Sequence, residues 1–540
     1  MKTMPPRATS PSIARPNGAT GARTSVRRER GLIFLLFFCL YAASACGDLT
    51  SDSEIRWATA RQLLDTGWFD LPAGITNAYA DGIDGRQYAF YAPGQSICLI
   101  PFVVAGRWIA AMGLPISGTA DMFGQFLASV GFFPVCGALI VVLAFAIVFE
   151  ATGSRRDARW IAFALGAASM HWHHTAAGAD ESQVGLCVLL AVWAIQRVWH
   201  GGGWHCRLLV CGAMGVAVSF RYSAATFGGA IILAGLTYDL ARQTTGSERL
   251  RRLWSWLLAA CLGLVPICVA LGWFNAVRFG SWAETGYGPA HLERIGGVGL
   301  FDTPLWFGLT GMLFSPGKGV FLFNPPLILA VYGAVRFWRE FRGLALIVVA
   351  AFLSSVLFHS TYTFWGGDFT WGPRYLTSIM GLLLLPLIPV IRRPKQRSIL
   401  VALCAISVCI QTGSVVYSYA LEFYQDRRHG IIPDSYVWRP AESQLFCRFE
   451  NIALHAAGKP NLDSIPPDVE APQLYKIQTS KESVRRMHVV QFFPFKAHYN
   501  TNSRKLYLAL LALWSALLLG GATAGVLWYR ATRPATVQRE

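Results

Sequence analysis

The chain has 540 residues, of which 54% are hydrophobic and only 14% charged, with a formal net charge of +17. A soluble domain carries about a quarter charged residues, so a chain of several soluble domains is excluded. Its Lys and Arg residues sit in short clusters between apolar runs rather than in one stripe, which argues against nucleic acid and for the cytoplasmic loops of a membrane protein.

Residues 1–30, rich in Arg, Ser, Pro and Ala, read as a disordered cytoplasmic tail that orients the first span. A transit peptide shares that composition, but a cleaved signal peptide needs a compact basic region before its apolar core. A bilayer-crossing helix needs about 20 mostly apolar residues. Runs meeting this pattern are expected near 31–46, 122–149, 160–176, 183–198, 207–220, 225–240, 254–274, 319–335, 343–359, 376–391, 398–420 and 506–529, twelve in all. The stretch 94–112 is also apolar, but it holds Arg107 and opens on Pro93-Gly94.

Parity decides how 94–112 is read. With the basic N-terminus inside, counting 94–112 as a span throws four basic clusters outside: those at Arg155/Arg156/Arg159, Arg242–Arg252, Arg336–Arg342 and Arg392–Arg397. Laying 94–112 along the outer surface puts all four inside, together with Arg530/Arg533/Arg539. Residues 94–112 are therefore expected to form an outer juxtamembrane helix. The domain plan is a tail (1–30), a transmembrane module (31–420), an extracytoplasmic segment (421–505), a last span (506–529) and a cytoplasmic tail (530–540). No internal repeat is discernible.

The unusual residues fall in the segments placed outside. Asp52 and Glu54 follow the first span directly, at the head of an amphipathic helical run. The bland alternative for Asp52 is a helix N-cap, yet capping needs no second carboxylate two residues on. Tyr91-Ala92-Pro93-Gly94-Gln95-Ser96 comes next. His171, His173, His174, Asp180 and Glu181 make a polar outer turn whose spacing fits no standard zinc site. Arg221 stands between two apolar runs. It is either functional or a snorkelling Arg. Phe279-Gly280-Ser281-Trp282-Ala283-Glu284-Thr285-Gly286-Tyr287 and the Gly-rich 309–319 follow. The latter carries Lys318, and its amides and ammonium suit a phosphate, although the P-loop order is absent. Trp365–Tyr375 combines Asp368, Trp371 and Arg374 in an aromatic, kinked loop. The twelve cysteines lack CxxC or zinc spacing, and Cys46, Cys98 and Cys447 are candidates for an outer disulfide.

In their order and common placement, these motifs resemble a membrane glycosyltransferase of the GT-C superfamily. They are most similar to the bacterial branch related to protein O-mannosyltransferases and lipid A aminoarabinose transferases. The resemblance covers residues 31–391 and rests on Ser51-Asp52-Ser53-Glu54, Tyr91–Ser96, Phe279–Tyr287, Leu313–Gly319 and Trp371–Tyr375. Ser53 separates two acids that stand adjacent in the superfamily, which leaves Asp52 or Glu54 as the base.

The resemblance implies an all-α polytopic bundle of about twelve transmembrane helices in a bacterial inner membrane, with both termini cytoplasmic and the active site outside. It implies inverting transfer of a sugar from a polyprenyl-phosphate donor to a glycan, lipid or protein acceptor. Asp52 or Glu54 would be catalytic, and Arg374, Lys318, Arg221 and Arg278 would hold the donor phosphate. Tyr91, Asp180, Glu181, Glu284, Asp368 and Trp371 would line the substrate site. No cofactor is required, with a divalent metal left open. The partners are membrane lipids and the two substrates, with no nucleic acid. The competing class is a transporter or lipid flippase, which would show repeats and charges at the membrane midplane.

Overall fold

The computed structural model describes residues 19–49, 52–72, 79–113, 118–288, 299–367, 369–425, 435–464 and 480–531. The chain is an all-α polytopic membrane protein; a short antiparallel hairpin pairs β1 (Tyr79–Asp81) with β2 (Gln87–Ala89). Among the described residues, nine helices are long and apolar enough to cross a membrane. Every expected span is at least partly helical. The runs at 31–46, 160–176, 207–220 and 319–335 fall outside those nine because their helices are short or begin among charges.

In chain order the main helices are α1 (Ala19–Ser44), α2 (Asp52–Thr66), α3 (Gly94–Ala111), α4 (Ala120–Thr152), α5 (Arg155–Gly166), α6 (His171–Ala176), α7 (Glu181–Trp199), α8 (Trp204–Phe220) and α9 (Ala224–Ala241). They continue as α10 (Gly246–Phe279), α11 (Leu305–Phe314), α12 (Pro326–Glu340), α13 (Arg342–Thr361), α14 (Arg374–Ile391), α15 (Pro394–Val416), α16 (Gln444–Ala456), α17 (Phe493–Thr501) and α18 (Arg504–Arg530). The expected span 160–176 is two helices, α5 and α6, broken at 167–170. Local signals set several ends: Thr119 caps α4 and Ser154 caps α5 by accepting backbone N–H bonds. Left-handed Gly280 stops α10.

One core joins α4, α5, α7, α8, α9, α13 and α14. Helix α14 is its centre, with the whole of Leu376–Ile391 buried. Apolar burial stabilises at roughly 25 cal/mol per Å² in water. In a bilayer that drive fades, and close packing takes over. Gly311 illustrates it: a Cβ there would enter the Trp365 ring at 2.1 Å.

The charged residues fall in two layers. At one end Arg392 joins Asp157 to Glu340, Arg159 joins Glu29 to the Ala531 carbonyl, Arg155 reaches Ser25, and Arg252 pairs with Asp239. The basic clusters and both chain ends described, at α1 and α18, thus meet in one layer. Asp52, Asp180, Arg221 and Arg374 mark the opposite end. Among the described residues, helices running through the bundle carry their charges near their ends.

Helix α3 is apolar enough to span, but its packing places it across the bundle end. Gly94 abuts Ser219 at the end of α8, while Gly106 abuts Ala120 at the start of α4. Trp57 of α2 packs on Gly124 and donates to Asp121 at 3.1 Å, and Arg107 pairs with Asp65 of α2. Both ends of α3 therefore touch the same layer, the one opposite the basic clusters. This gives the first prediction. Met112→Cys, at a position 68% exposed, should react with an impermeant maleimide from outside the cell. Arg156→Cys should react only after permeabilisation. Reversed labelling overturns the placement of α3.

Candidate active site

The site begins where α1 hands over to α2. Asp52 starts α2 and Arg56 lies one turn on, so both point to the same side. The Asp52 carboxylate accepts from Tyr91 Oη at 2.8 Å and from Arg374 Nη1 at 3.1 Å. Arg56 donates to Asp180 Oδ2 at 2.9 Å and stacks over the Tyr91 ring, 4.2 Å from its centroid. Asp180 and Glu181, at the head of α7, are held by Arg221. It donates through Nε to Asp180 Oδ2 at 3.1 Å, through Nη2 to Asp180 Oδ1, and to Glu181 Oε1 at 2.6 Å. Arg374 Nε lies 3.7 Å from Glu181 Oε1.

Three arginines thus face three carboxylates around a cavity of about 200 Å³. Phe90, Tyr287, Phe301, Tyr362 and Tyr375 add aromatic walls, and His359 stacks flat on Tyr375 at 4.3 Å. Burying ion pairs costs several kcal/mol per charge before their attraction is counted. Asp180 and Arg56 are 2% and 3% exposed, so this cluster is a poor device for stability. Such a group in a cleft is the pattern of a functional site.

Electrostatics fixes protonation at this end. Burial pushes the Asp52 carboxyl up, but Arg374, Arg56 and the Tyr91 hydroxyl outweigh it and hold the group below the ordinary carboxylate value. Burial is likewise outweighed at Asp180 by Arg221 and Arg56, and its carboxyl lies far below that value. Burial and the neighbouring Asp52 carboxylate hold the Tyr91 and Tyr287 phenols protonated. Asp52 is therefore an ionised acceptor with a phenol and a guanidinium on it.

Glu54 is placed apart. Two residues along a helix is about 200° of rotation, so it faces away from Asp52, into a second and larger cavity shared with Lys496 and Tyr417. Burial and Asp48 raise its carboxyl above the ordinary value, against Lys496.

The other expected site residues sort by position. Tyr91, Asp180, Arg221 and Arg374 line the cavity with Asp52, and Glu181 reaches it through its two arginines. Arg278 does not line it. Its guanidinium lies 3.6 Å over Phe274 and donates to the Ala89 and Phe274 carbonyls, pinning β2 to the end of α10. Lys318 donates to the Thr370 carbonyl at 2.6 Å, and the amides of its loop bond within the protein, Gly317 to Val437 and Gly319 to Ser315. Glu284 closes its own turn by accepting from Gly286 N at 2.8 Å. Trp371 is fully buried against Phe323, with Arg448 over its ring at 5.4 Å. These four carry the loops that bring Tyr287 and Arg374 to the cavity. Gly286 is required there: its φ is +91° and a Cβ would strike Phe90 and Phe279. Asp368 lies outside the described residues.

The ring nitrogens of His171 and His174 lie 3.1 and 3.2 Å from the Gly137 and Trp371 carbonyls. Cys46, Cys98 and Cys447 form no disulfide with one another in this structure.

Sequence reasoning did not single out Arg56, Tyr222, His359 or Tyr375 as site residues, although all four line the cavity. Arg56 carried a readable signal, its spacing of four from Asp52 on one helix face. Tyr375 stood in the Trp371–Tyr375 motif without a role of its own, and His359 carried no signal, because only the packing of the end of α13 on the start of α14 stacks the two.

No protein-family model and no curated protein matches the chain. Among solved structures it is similar to ArnT from Cupriavidus metallidurans bound to undecaprenyl phosphate, at 14% identity over 95% of this chain and 78% of that one, with a TM-score of 0.49. It is also similar to the arabinosyltransferase EmbB from Mycobacterium smegmatis, at 13% identity over 96% of this chain and 42% of that one, TM-score 0.43. A third is the archaeal oligosaccharyltransferase AglB from Archaeoglobus fulgidus, at 9% identity over 86% and 61%, TM-score 0.38. By its own helices and charge layers, this chain is a multi-pass membrane protein with a buried arginine–carboxylate cavity at the end of the bundle opposite its basic loops.

Proposed function

We propose that the chain is a GT-C-type glycosyltransferase of the bacterial inner membrane, moving a sugar from a polyprenyl-phosphate donor to an acceptor outside the cytoplasm. The observation that carries the reading is Asp52, ionised and held between Tyr91 and Arg374 in an aromatic, arginine-lined cavity at the end of the bundle opposite the basic clusters.

The three arginines and three carboxylates balance in charge, so an entering phosphate must compete for the guanidinium groups. Arg374 is the exchangeable one. It lies 3.1 Å from Asp52 and 3.7 Å from Glu181, while Arg221 holds Asp180 through two nitrogens and Glu181 at 2.6 Å. A donor phosphate taking Arg374 releases one oxygen of Asp52 and makes it a stronger base. The acceptor hydroxyl then attacks the anomeric carbon as Asp52 takes its proton. The bond from carbon to phosphate oxygen breaks, and the polyprenyl phosphate leaves with the electron pair, its charge met by Arg374. One displacement inverts the anomeric centre. Asp180 and Glu181 act in this scheme as the anchors of Arg221 and Arg56.

The ends-only distribution of charge favours this reading over a transporter, which places charges at the midplane. The test is mass spectrometry of envelope glycans and lipids from cells with the gene, without it, and with Asp52→Asn. A single sugar missing from both defective strains supports the reading; an unchanged envelope in the deletion overturns it.

A further inference from the structure

We propose that the second cavity, on the Glu54 side of α2, is the acceptor site and takes the uncharged end of a saccharide chain; this rests on the transferase reading. Its volume, about 470 Å³, is in the range of ligand pockets. The end of α15 forms one wall and α17, with the residues before it, forms the roof.

Three features connect it to the chemistry. First, α2 is the partition. Asp52 faces the arginine cavity and Glu54 the second one, from opposite sides of one helical turn. Second, a narrow cleft of about 50 Å³ lies between the two. His173, Ala177 and Tyr419 line both the cleft and the second cavity, while Asp52, Arg56 and Arg374 line both the cleft and the arginine cavity. A group entering from the second cavity thus reaches Asp52 from the side away from the aromatic walls, as in-line displacement requires. Third, the walls match sugar hydroxyls. Tyr417, Tyr424 and Tyr499 offer ring faces and phenols, and Gln491 and Asn500 offer amides.

The same walls disfavour an anionic acceptor. Glu54 is exposed to the cavity, and Lys496, the cation beside it, is held by Asp48 at 2.8 Å. A phosphate there would meet the Glu54 carboxylate, an ammonium neutralised by Asp48 and the Arg486 guanidinium, itself paired with Glu482 at 3.4 Å. The arginine cavity, with three guanidinium groups, is the better place for phosphate.

The experiment uses the full chain in nanodiscs with two probes. One is the oligosaccharide released by mild acid from the envelope of the producing cell, and the other is undecaprenyl phosphate. Asn500→Cys supplies a maleimide site at the mouth of the second cavity. The oligosaccharide should protect it above the wild-type background, and undecaprenyl phosphate should not. Glu54→Gln and Gln491→Ala should each weaken that protection about tenfold, the loss of roughly one hydrogen bond, with undecaprenyl phosphate affinity and thermal unfolding unchanged. If the oligosaccharide gives no protection while undecaprenyl phosphate still binds in an Arg374-dependent way, the acceptor site is overturned and the donor reading stands. If undecaprenyl phosphate itself protects Asn500→Cys, the cavity belongs to the lipid and the proposal falls. Protection by oligosaccharide without any binding of undecaprenyl phosphate keeps the saccharide site and overturns the donor reading instead.

Discussion

Asp52→Asn is expected to lower sugar transfer by about 10²–10⁴-fold, the range for loss of a general base, while the protein inserts and binds donor. The substitution is nearly isosteric, and it leaves Tyr91 and Arg374 a polar neighbour. Lost activity with intact donor binding therefore reports the missing proton acceptor. The measurement is single-turnover transfer in nanodiscs alongside donor affinity. Glu54→Gln is the control. Glu54 faces the second cavity, so its loss should weaken acceptor binding and leave the chemical step intact at saturating acceptor. A nearly normal Asp52→Asn with a dead Glu54→Gln moves the base to Glu54; two active variants end the mechanism.

The pH dependence has a definite sign. Asp52 acts when ionised, and its pKa is held below the ordinary 3.8, burial being outweighed by Arg374, Arg56 and the Tyr91 hydroxyl. The wild-type kcat/KM for donor, which reports the free enzyme, should therefore stay flat as pH falls toward that value and drop only as pH passes through the depressed pKa. Removing Arg374 takes away the leading attractive charge, so the acid limb of Arg374→Ala should move to higher pH. An acid limb near pH 6 in wild type would show that another group is titrating.

What the sequence showed well was whatever depends on composition and local pattern. Apolar runs of span length became helices because a bilayer leaves the backbone no other way to satisfy its hydrogen bonds. The basic clusters sorted onto one end, and treating 94–112 as a surface helix agreed with the contacts of Gly94 and Gly106. Asp52, Tyr91, Asp180, Arg221 and Arg374 were visible as charges or polar groups at the ends of apolar runs, where isolated charge needs a reason. What stayed hidden was direction. Sequence spacing does not say whether Lys318 turns toward a phosphate or, as it does, toward the Thr370 carbonyl. Nor does it reveal that Arg278 is enclosed by its own helix end and by β2. Asp52 and Glu54 look like alternatives in the sequence, yet the 100° step of the helix sends them into different cavities. Only tertiary contacts decide such cases.

Arg374 gives the sharper test of the donor site. Arg374→Ala should lower transfer by about 10²–10³-fold, the effect of removing one charge-stabilising donor in a transition state. It should also weaken binding of undecaprenyl phosphate. Arg374→Lys should retain most of that defect. Lysine keeps the charge, but a guanidinium can hold Asp52 through one nitrogen and offer phosphate oxygens a planar fork with the others. The competing view is that Arg374 only braces the start of α14, through Asp52, Glu181 and the Tyr375 ring, whose centroid lies 5.4 Å away. A brace can be replaced by an ammonium that reaches the same carboxylates, so that view expects Lys near wild type and Ala with lowered thermal stability. The two views separate on three readings taken together. Loss in both variants, weakened undecaprenyl phosphate binding and an unchanged unfolding temperature assign Arg374 to the phosphate. A Lys variant equal to wild type assigns it to the helix end, and the positive charge facing the leaving group would then have to come from Arg56 or Arg221, which the structure ties to Asp180 and, for Arg221, to Glu181 as well.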